Sequence, residues 1–370
     1  MKELINQIAL LKVNGIGPRT IRKLISDFAS TQNLFKATKK DFQHKYQNRG
    51  EKIYKLVQEG KKFISEAATE YEYCKRKNYE ISSFYDNNYP NSLRHCTDAP
   101  LILYQSGNID LNENTLLSIV GTRTNSKYGE QVVENVIDSL KNYQVTIVSG
   151  LAKGIDYLTH HFCVQNDIPN IAILGHGLDN IYPKYHSEIK EKIKNNGALI
   201  SEFNPTTKPS KYNFPKRNRI IAGISSATLV IESPTRGGAM ITAGIANSYN
   251  RDVFAVPGNF FAQKSMGCNH LIYNNEAHLL DNSKSLIKML DLKEKKSLIK
   301  NKRICKEEKI ELKNDEKKLF LQLEENMSLN YDFLMNQLNV SIEQLQNLIC
   351  SLEIKGCIEL HFGNKIKIIK

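Results

Sequence analysis

The sequence predicts an α/β protein whose centre is a parallel sheet with helices on both faces. Three observations predict it. Short apolar runs recur every 22–30 residues: Leu116–Val120, Gln144–Val148, Asn170–Leu174, Ala198–Ile200, Ala227–Ile231 and Val253–Val256. Helical or loop material separates them, as parallel strands require, because each needs a crossover connection. The runs are continuously apolar, which marks strands covered on both faces rather than half-solvated ones.

The elements follow in order. Residues 1–75 read as a helical domain, with Leu4, Ile8, Leu11, Ile21, Leu24, Ile25 and Phe28 at helical spacing. Gly15-Ile16-Gly17-Pro18 interrupts them as a tight turn. The stretch Val13–Thr20 resembles a helix-hairpin-helix turn, whose glycine backbone and following cation grip a DNA phosphate, or it is a plain helix junction. Residues 76–114 are a connecting segment, in which Tyr89-Pro90 and Ala99-Pro100 mark turns and Leu101–Tyr104 a short strand. Residues 115–280 hold the six runs. Residues 281–318 are lysine-rich and poor in aromatics, a linker with a partly helical stretch. In residues 319–370, Leu319-Phe320-Leu323, Tyr331-Leu334-Met335-Leu338 and Leu345-Leu348-Ile349-Leu352 suggest three helices. Cys357–Leu360 and Ile366–Ile369 then alternate around Gly363-Asn364, and three helices followed by a hairpin is a winged-helix layout.

With 370 residues and 41% hydrophobic content, the chain has material for two or three domains with a sizeable core. No apolar run approaches membrane-spanning length, and the N-terminus lacks the uncharged core of a signal peptide. The seven cysteines are scattered singly, with no CxxC pair, which fits reduced thiols in the cytoplasm and neither a disulfide framework nor a zinc site. The net charge of +12 favours a polyanionic partner. The charge is unevenly placed. Residues 203–231 carry five cations and no acid, whereas residues 319–370 hold 4 cations against 6 acids.

The densest part is Phe214–Gly223, where Lys216, Arg217 and Arg219 fall within four positions. Pro215 fixes its own φ and favours an extended Phe214, presenting the cations from a defined backbone. Arginine's planar fork suits phosphate. In parallel sheets ligands bind outside the carboxyl ends of the strands. Gly121-Thr122-Arg123, Ser149–Gly154, Gly175-His176-Gly177, Ser201-Glu202, Glu232-Ser233-Pro234 and Pro257-Gly258 form that rim.

Gly150, Lys153 and Gly154 open a helix directly after a strand, as do Gly237 and Gly238 later on. Each is either an anion-binding helix start or a close strand–helix turn, and neither has the spacing of a dinucleotide or nucleoside-triphosphate loop. His160-His161 lacks further ligands at metal spacing and reads as packed histidines behind a helix-capping Asp156. No serine or cysteine pairs with His176 in sequence. Glu202 and Glu232 form a carboxylate pair or hold Arg217 or Arg219 by ion pairs, the reading preferred here.

Together these segments resemble the DNA-processing protein A family of bacteria, DprA or Smf. The matching pieces are Val120–Arg123 with Tyr128-Gly129, Ser149–Asp156, Leu174–Asp179 with Ile181–Pro183, Ile200–Glu202 and Phe214–Gly223. Gly237–Ala243, Val253–Gly258 and Gly267–Ile272 close the series in family order. The resemblance implies a Rossmann-like domain, preceded by a helical domain of SAM or helix-hairpin-helix type and followed by a winged helix. It also implies non-catalytic binding of single-stranded DNA, protection of incoming DNA, loading of RecA recombinase in natural transformation, and a homodimer through the Rossmann-like domain. No cofactor, metal or membrane is implied.

Carried over by motif, Arg123, Lys216, Arg217 and Arg219 line the DNA pocket. Lys153, Lys184, Gly237 and Gly238 are further candidates. The sequence departs from the family at Gly237-Gly238-Ala239, where the family has Ser-Gly-Ser, and one hydroxyl contact is lost. Two rival functions remain. One is a nucleotide phosphoribohydrolase, which the fold also resembles, although the glutamate expected after Gly237–Thr242 is absent. The other is a duplex-DNA regulator working through the winged helix, against which the acidic balance of residues 319–370 argues.

Overall fold

A computed structural model describes residues 1–295, 315, 318–319, 331–338, 340–355, 358–361 and 365–368. The chain divides into two units, Met1–Lys295 and Lys296–Lys370.

In the first unit nine strands form one sheet: β1 (Glu80–Ser83), β2 (Ile102–Ser106), β3 (Thr115–Val120), β4 (Val145–Ser149), β5 (Asn170–Ile173), β6 (Gly197–Ser201), β7 (Ala227–Val230), β8 (Asp252–Ala255) and β9 (His278–Leu279). Their order is β1-β2-β6-β5-β4-β3-β7-β8-β9. The six apolar runs are β3 to β8, and all neighbours among them pair in parallel. Residues 76–110 do more than connect. β1 pairs with β2 and β2 with β6, both antiparallel, so this stretch extends the sheet at one edge. Pattern reading found β2 but missed β1 and the two-residue β9.

Side chains of β3 alternate between the sheet's two faces. Leu116 and Val120 join a core with Ile220, Ile221 and Ala243, whereas Leu117 and Ile119 join one with Val133, Ile137 and Phe254. Truncating a fully buried Leu or Ile of this kind costs about 2–5 kcal/mol, because the cavity adds to the lost transfer energy. The short α7 (Asn91–Arg94) precedes β2, and the covering helices are α8 (Lys127–Leu140), α9 (Ile155–Gln165), α10 (Ser187–Asn195), α11 (Asn213–Ile224), α12 (Gly238–Ser248) and α13 (Met266–Tyr273).

The N-terminal helices α1 (Lys2–Leu11), α2 (Pro18–Phe28), α3 (Thr31–Lys36), α4 (Lys39–Tyr46), α5 (Gly50–Gly60) and α6 (Ile64–Arg76) share a core with the sheet. Ile8, Leu24 and Phe42 belong to the same cluster as Ala172, Leu174 and Leu199. The hydroxyls of Tyr73 and Tyr79 donate to Asp179 at 2.7 and 2.9 Å, tying the end of α6 and β1 to the loop after β5. Between α1 and α2, Gly15 takes φ +96°, the left-handed region that favours glycine.

Two expectations need correction. Phe214 and Pro215 are not extended. Both lie in the first turn of α11, where proline costs no hydrogen bond because the first amides of a helix have no intrahelical partner. The stretch expected to be a linker from residue 281 begins instead as packed structure. Helix Ser283–Met289 buries Leu286, and the Lys295 amide donates to the Asn142 carbonyl at 2.7 Å.

In the second unit, helices Tyr331–Leu338 and Ile342–Ile354 precede an antiparallel hairpin of Ile358–His361 and Lys365–Ile368. Leu319, Leu334, Leu345, Ile349 and Leu352 form its buried cluster. Ser341 and Gln344 make a reciprocal capping box at 3.3 and 3.0 Å. The expected helix through Phe320 and Leu323 and the turn at Gly363-Asn364 lie outside the described residues.

A candidate polyanion pocket at the strand-order reversal

Chain order reverses at β3, which opens the parallel set and lies between β4 and β7. The loops after β3 and β7 therefore diverge and leave a crevice at their carboxyl ends. A cavity of about 640 Å³ occupies it, with walls from Gly121–Arg123, the start of α9, the first turns of α11, and Ser233–Thr242.

Backbone contacts hold the walls. The Thr122 amide donates to the Glu232 carbonyl at 2.7 Å, and the Ile155 amide to the Thr122 carbonyl at 3.1 Å. Gly154 sits at φ +76°, and a Cβ there would come within 2.3 Å of the Thr122 carbonyl oxygen. This glycine is therefore required by the turn. Glu232 braces no arginine. Its carboxylate accepts from the Ser126 amide at 2.9 Å and the Ser126 hydroxyl at 2.6 Å, while Ser126 caps α8. The loop carrying Arg123 is thus fixed at both ends.

The three cations of α11 separate. Arg217 turns inward and is only 4% exposed. Its Nη1 donates to the Ile173 carbonyl at 3.1 Å, while its Nε has no partner. It nevertheless lines the crevice, near Asp156 and Arg123. Burial pulls its pKa down, and Asp156 opposes that pull. An arginine keeps its charge even so. Burial likewise raises Asp156, against the field of Arg217 and a hydrogen bond from the Ala152 amide at 3.4 Å. Asp156 lies in the first turn of α9, where Gly154 is the N-cap residue.

Arg219 faces away from the crevice. It pairs with Glu202 and donates to the Asp98 carbonyl at 2.7 Å. Lys216 is exposed and adds to the positive field at Glu202, whose carboxyl burial raises. Neither residue lines the crevice. Of the sequence-derived candidates, Arg123, Arg217, Gly237 and Gly238 do line it. Lys153 and Lys184 lie outside its walls, both exposed.

Arg123 is exposed, its guanidinium 5.8 Å above the Phe214 ring. Phe214 in turn lies 5.5 Å from Tyr182. Gly237 caps α12 without any side-chain hydrogen bond, and a Cβ on Gly238 would meet nothing within 4 Å. An uncapped helix start carries partial positive charge and orphan amide donors. The crevice therefore combines a buried guanidinium, an exposed one and a helix N-terminus, with Asp156 the only acid among its lining residues.

Sequence reading missed Lys211, Tyr182 and the role of Phe214, all of which line the crevice. His160 is buried as expected, its Nδ1 2.8 Å from the Asn170 side-chain oxygen, and burial pulls its pKa down to about 4. His176 is buried, 3.0 Å from the Gly177 carbonyl. Among the described residues no cluster of His, Cys, Asp and Glu could hold a metal ion, and no helix is long and apolar enough to cross a membrane.

Fold and crevice together define a Rossmann-like α/β protein with a cation-lined crevice at the strand-order reversal. The model of the DNA recombination-mediator protein A family matches residues 80–291. The chain is 44% identical over 190 residues to the DNA processing protein DprA of Streptococcus pneumoniae, covering 51% of this chain and 67% of that protein. It is 35% identical over 289 residues to protein Smf of Synechocystis, covering 75% and 71%. The crystal structure of S. pneumoniae DprA superimposes with a TM-score of 0.68 at 33% identity, covering 78% of this chain and 98% of that one. The Helicobacter pylori DprA, whose structure was described for its single-stranded DNA binding mode, gives 0.53 at 27%, covering 58% and 97%. The chain belongs to the DNA recombination-mediator protein A family.

Proposed function

We infer that this chain binds single-stranded DNA in the crevice, without catalysis and without sequence preference. It thereby protects incoming strands and serves recombination in the cytoplasm. The observation that carries the reading is the convergence of Arg123, Lys211, Arg217 and the uncapped start of α12 on one cavity. Phosphate charge supplies most of the affinity of such a site. The single-stranded DNA binding described for the H. pylori relative supports the same reading. Loading of RecA recombinase, a homodimer through the Rossmann-like unit and a winged-helix role for the second unit extend it, and rest on the family resemblance. Arg123, Lys211, Arg217, Gly237 and Gly238 are the proposed contacts in the crevice, with Lys153 and Lys184 beyond it. Arg219 and Lys216 brace or surround Glu202.

The enzymatic alternative needs an acid or base free to act. Asp156 has the position, but it accepts from a backbone amide and offsets the buried Arg217 charge. Arg123→Ala tests the DNA reading at an exposed side chain: at matched salt its gel-shift affinity for an oligonucleotide should fall severalfold or more. Unchanged affinity, or release of adenine from AMP with useful turnover, would sink the reading.

A further inference from the structure

Beside the crevice, the same rim carries an aromatic feature that phosphate binding does not use. Tyr182 is 48% exposed and Tyr185, in the 3-10 turn Lys184–His186, is 63% exposed. Tyr185 is not a loose surface side chain. Its ring meets the His186 ring edge-on at 4.7 Å. His186 is buried, 3.1 Å from the Leu151 carbonyl through Nδ1, and stacks on Tyr157 at 4.6 Å. Lys153 places its ammonium 5.4 Å from the Tyr185 ring centroid, and Lys184 is exposed next to it in the chain. Two cation–aromatic contacts thus lie on this rim: Arg123 over Phe214, which packs against Tyr182, and Lys153 over Tyr185.

Phosphates are common to single strands and duplexes, so a cationic crevice alone discriminates poorly between them. Bases in a duplex are already stacked on each other, whereas those of a single strand are free to stack on an aromatic face. A tyrosine held by packing offers such a face at little entropic cost. We propose that Tyr182 and Tyr185 form a base-stacking shelf for the strand leaving the crevice. Lys153 and Lys184 take phosphates along it, and the shelf gives the site its preference for single strands. This inference rests on the DNA reading above.

The test compares three ligands of equal length at one salt concentration: oligo(dT), an abasic strand with the same phosphates, and a duplex. Stacking on one aromatic side chain changes affinity about tenfold. The wild-type chain should prefer oligo(dT) over the abasic strand by at least that factor. Tyr185→Ala should lose most of that preference and bind the abasic strand unchanged, while Tyr185→Phe retains it. An oligo(dT)-to-abasic ratio that Tyr185→Ala leaves at the wild-type value overturns the shelf. Arg123→Ala separates this failure from failure of the DNA reading, because it should weaken both strands alike. If it weakens neither, the crevice assignment falls and the shelf with it.

Discussion

The guanidinium of Arg217 occupies the space that a side chain on residue 150 would need: a Cβ built on Gly150 lies 1.4 Å from Nη1. Glycine at the end of β4 and arginine on α11 are therefore one structural unit. Gly150→Ala should displace the guanidinium and lower stability by about 1–3 kcal/mol, the usual cost of overpacking. Thermal melting checks it. Binding should fall along with stability, since Arg217 also faces the crevice.

Arg217→Ala is correspondingly a poor reporter of ligand contact. It removes a buried charge from beside Asp156 and empties a packed position. Breaking a buried charge partnership costs about 3–5 kcal/mol. We expect a large drop in denaturant midpoint, against little change in Arg123→Ala, whose side chain is exposed.

Gly238→Asp should separate binding from folding. The new Cβ meets nothing within 4 Å, and a carboxylate at the first position of a helix is favourable to its dipole. Melting temperature should hold or rise slightly. Affinity for single-stranded DNA should fall at least tenfold, because the carboxylate projects negative charge into the crevice.

Arg219→Ala should do the reverse. The side chain of its partner Glu202 is only 12% exposed, and removing the arginine leaves that carboxylate uncompensated, a loss of roughly 3 kcal/mol. DNA affinity, measured where the variant is still folded, should match wild type. A loss of affinity without a loss of stability would place Arg219 on the DNA instead.

The buried His160 gives a pH signature. Its folded pKa, about 4, lies below the ordinary histidine value of 6.5. The unfolded chain thus takes up the proton first as pH falls. The neutral histidine's stability is intact above pH 6.5 and is lost as pH drops toward 4. His176 and His186 shift the same way, whereas Asp156 and Glu202, both raised, shift oppositely. The contribution of His160 is therefore read as a difference. His160→Gln should show a shallower loss of stability than wild type between pH 6.5 and 4, by about 3 kcal/mol at the acid end.

What the sequence revealed followed from periodicity. Buried strands such as Asn170–Ile173 and Ala227–Val230 announce themselves as apolar runs, and their Gly and Ser ends mark the rim. Strand β1 is polar at three of its four positions and takes its place only because β2 offers it an edge, which no local pattern records. The division of labour among Lys216, Arg217 and Arg219 was equally hidden. All three are adjacent in sequence, but a helix turns successive residues by about 100°, so one points into the crevice and another to Glu202. Reading Phe214 as extended concealed that rotation. Lys211 and Tyr182 join the site by tertiary packing alone.

The crevice takes its walls from residues 120–123, 152–156, 182, 209–221 and 233–242. It does not exist until the last of these segments has been synthesised and packed. Because Arg217 is held beneath Gly150 and α12 closes the opposite wall, the cation-lined crevice comes into being only late in synthesis, when most of the first unit has already emerged.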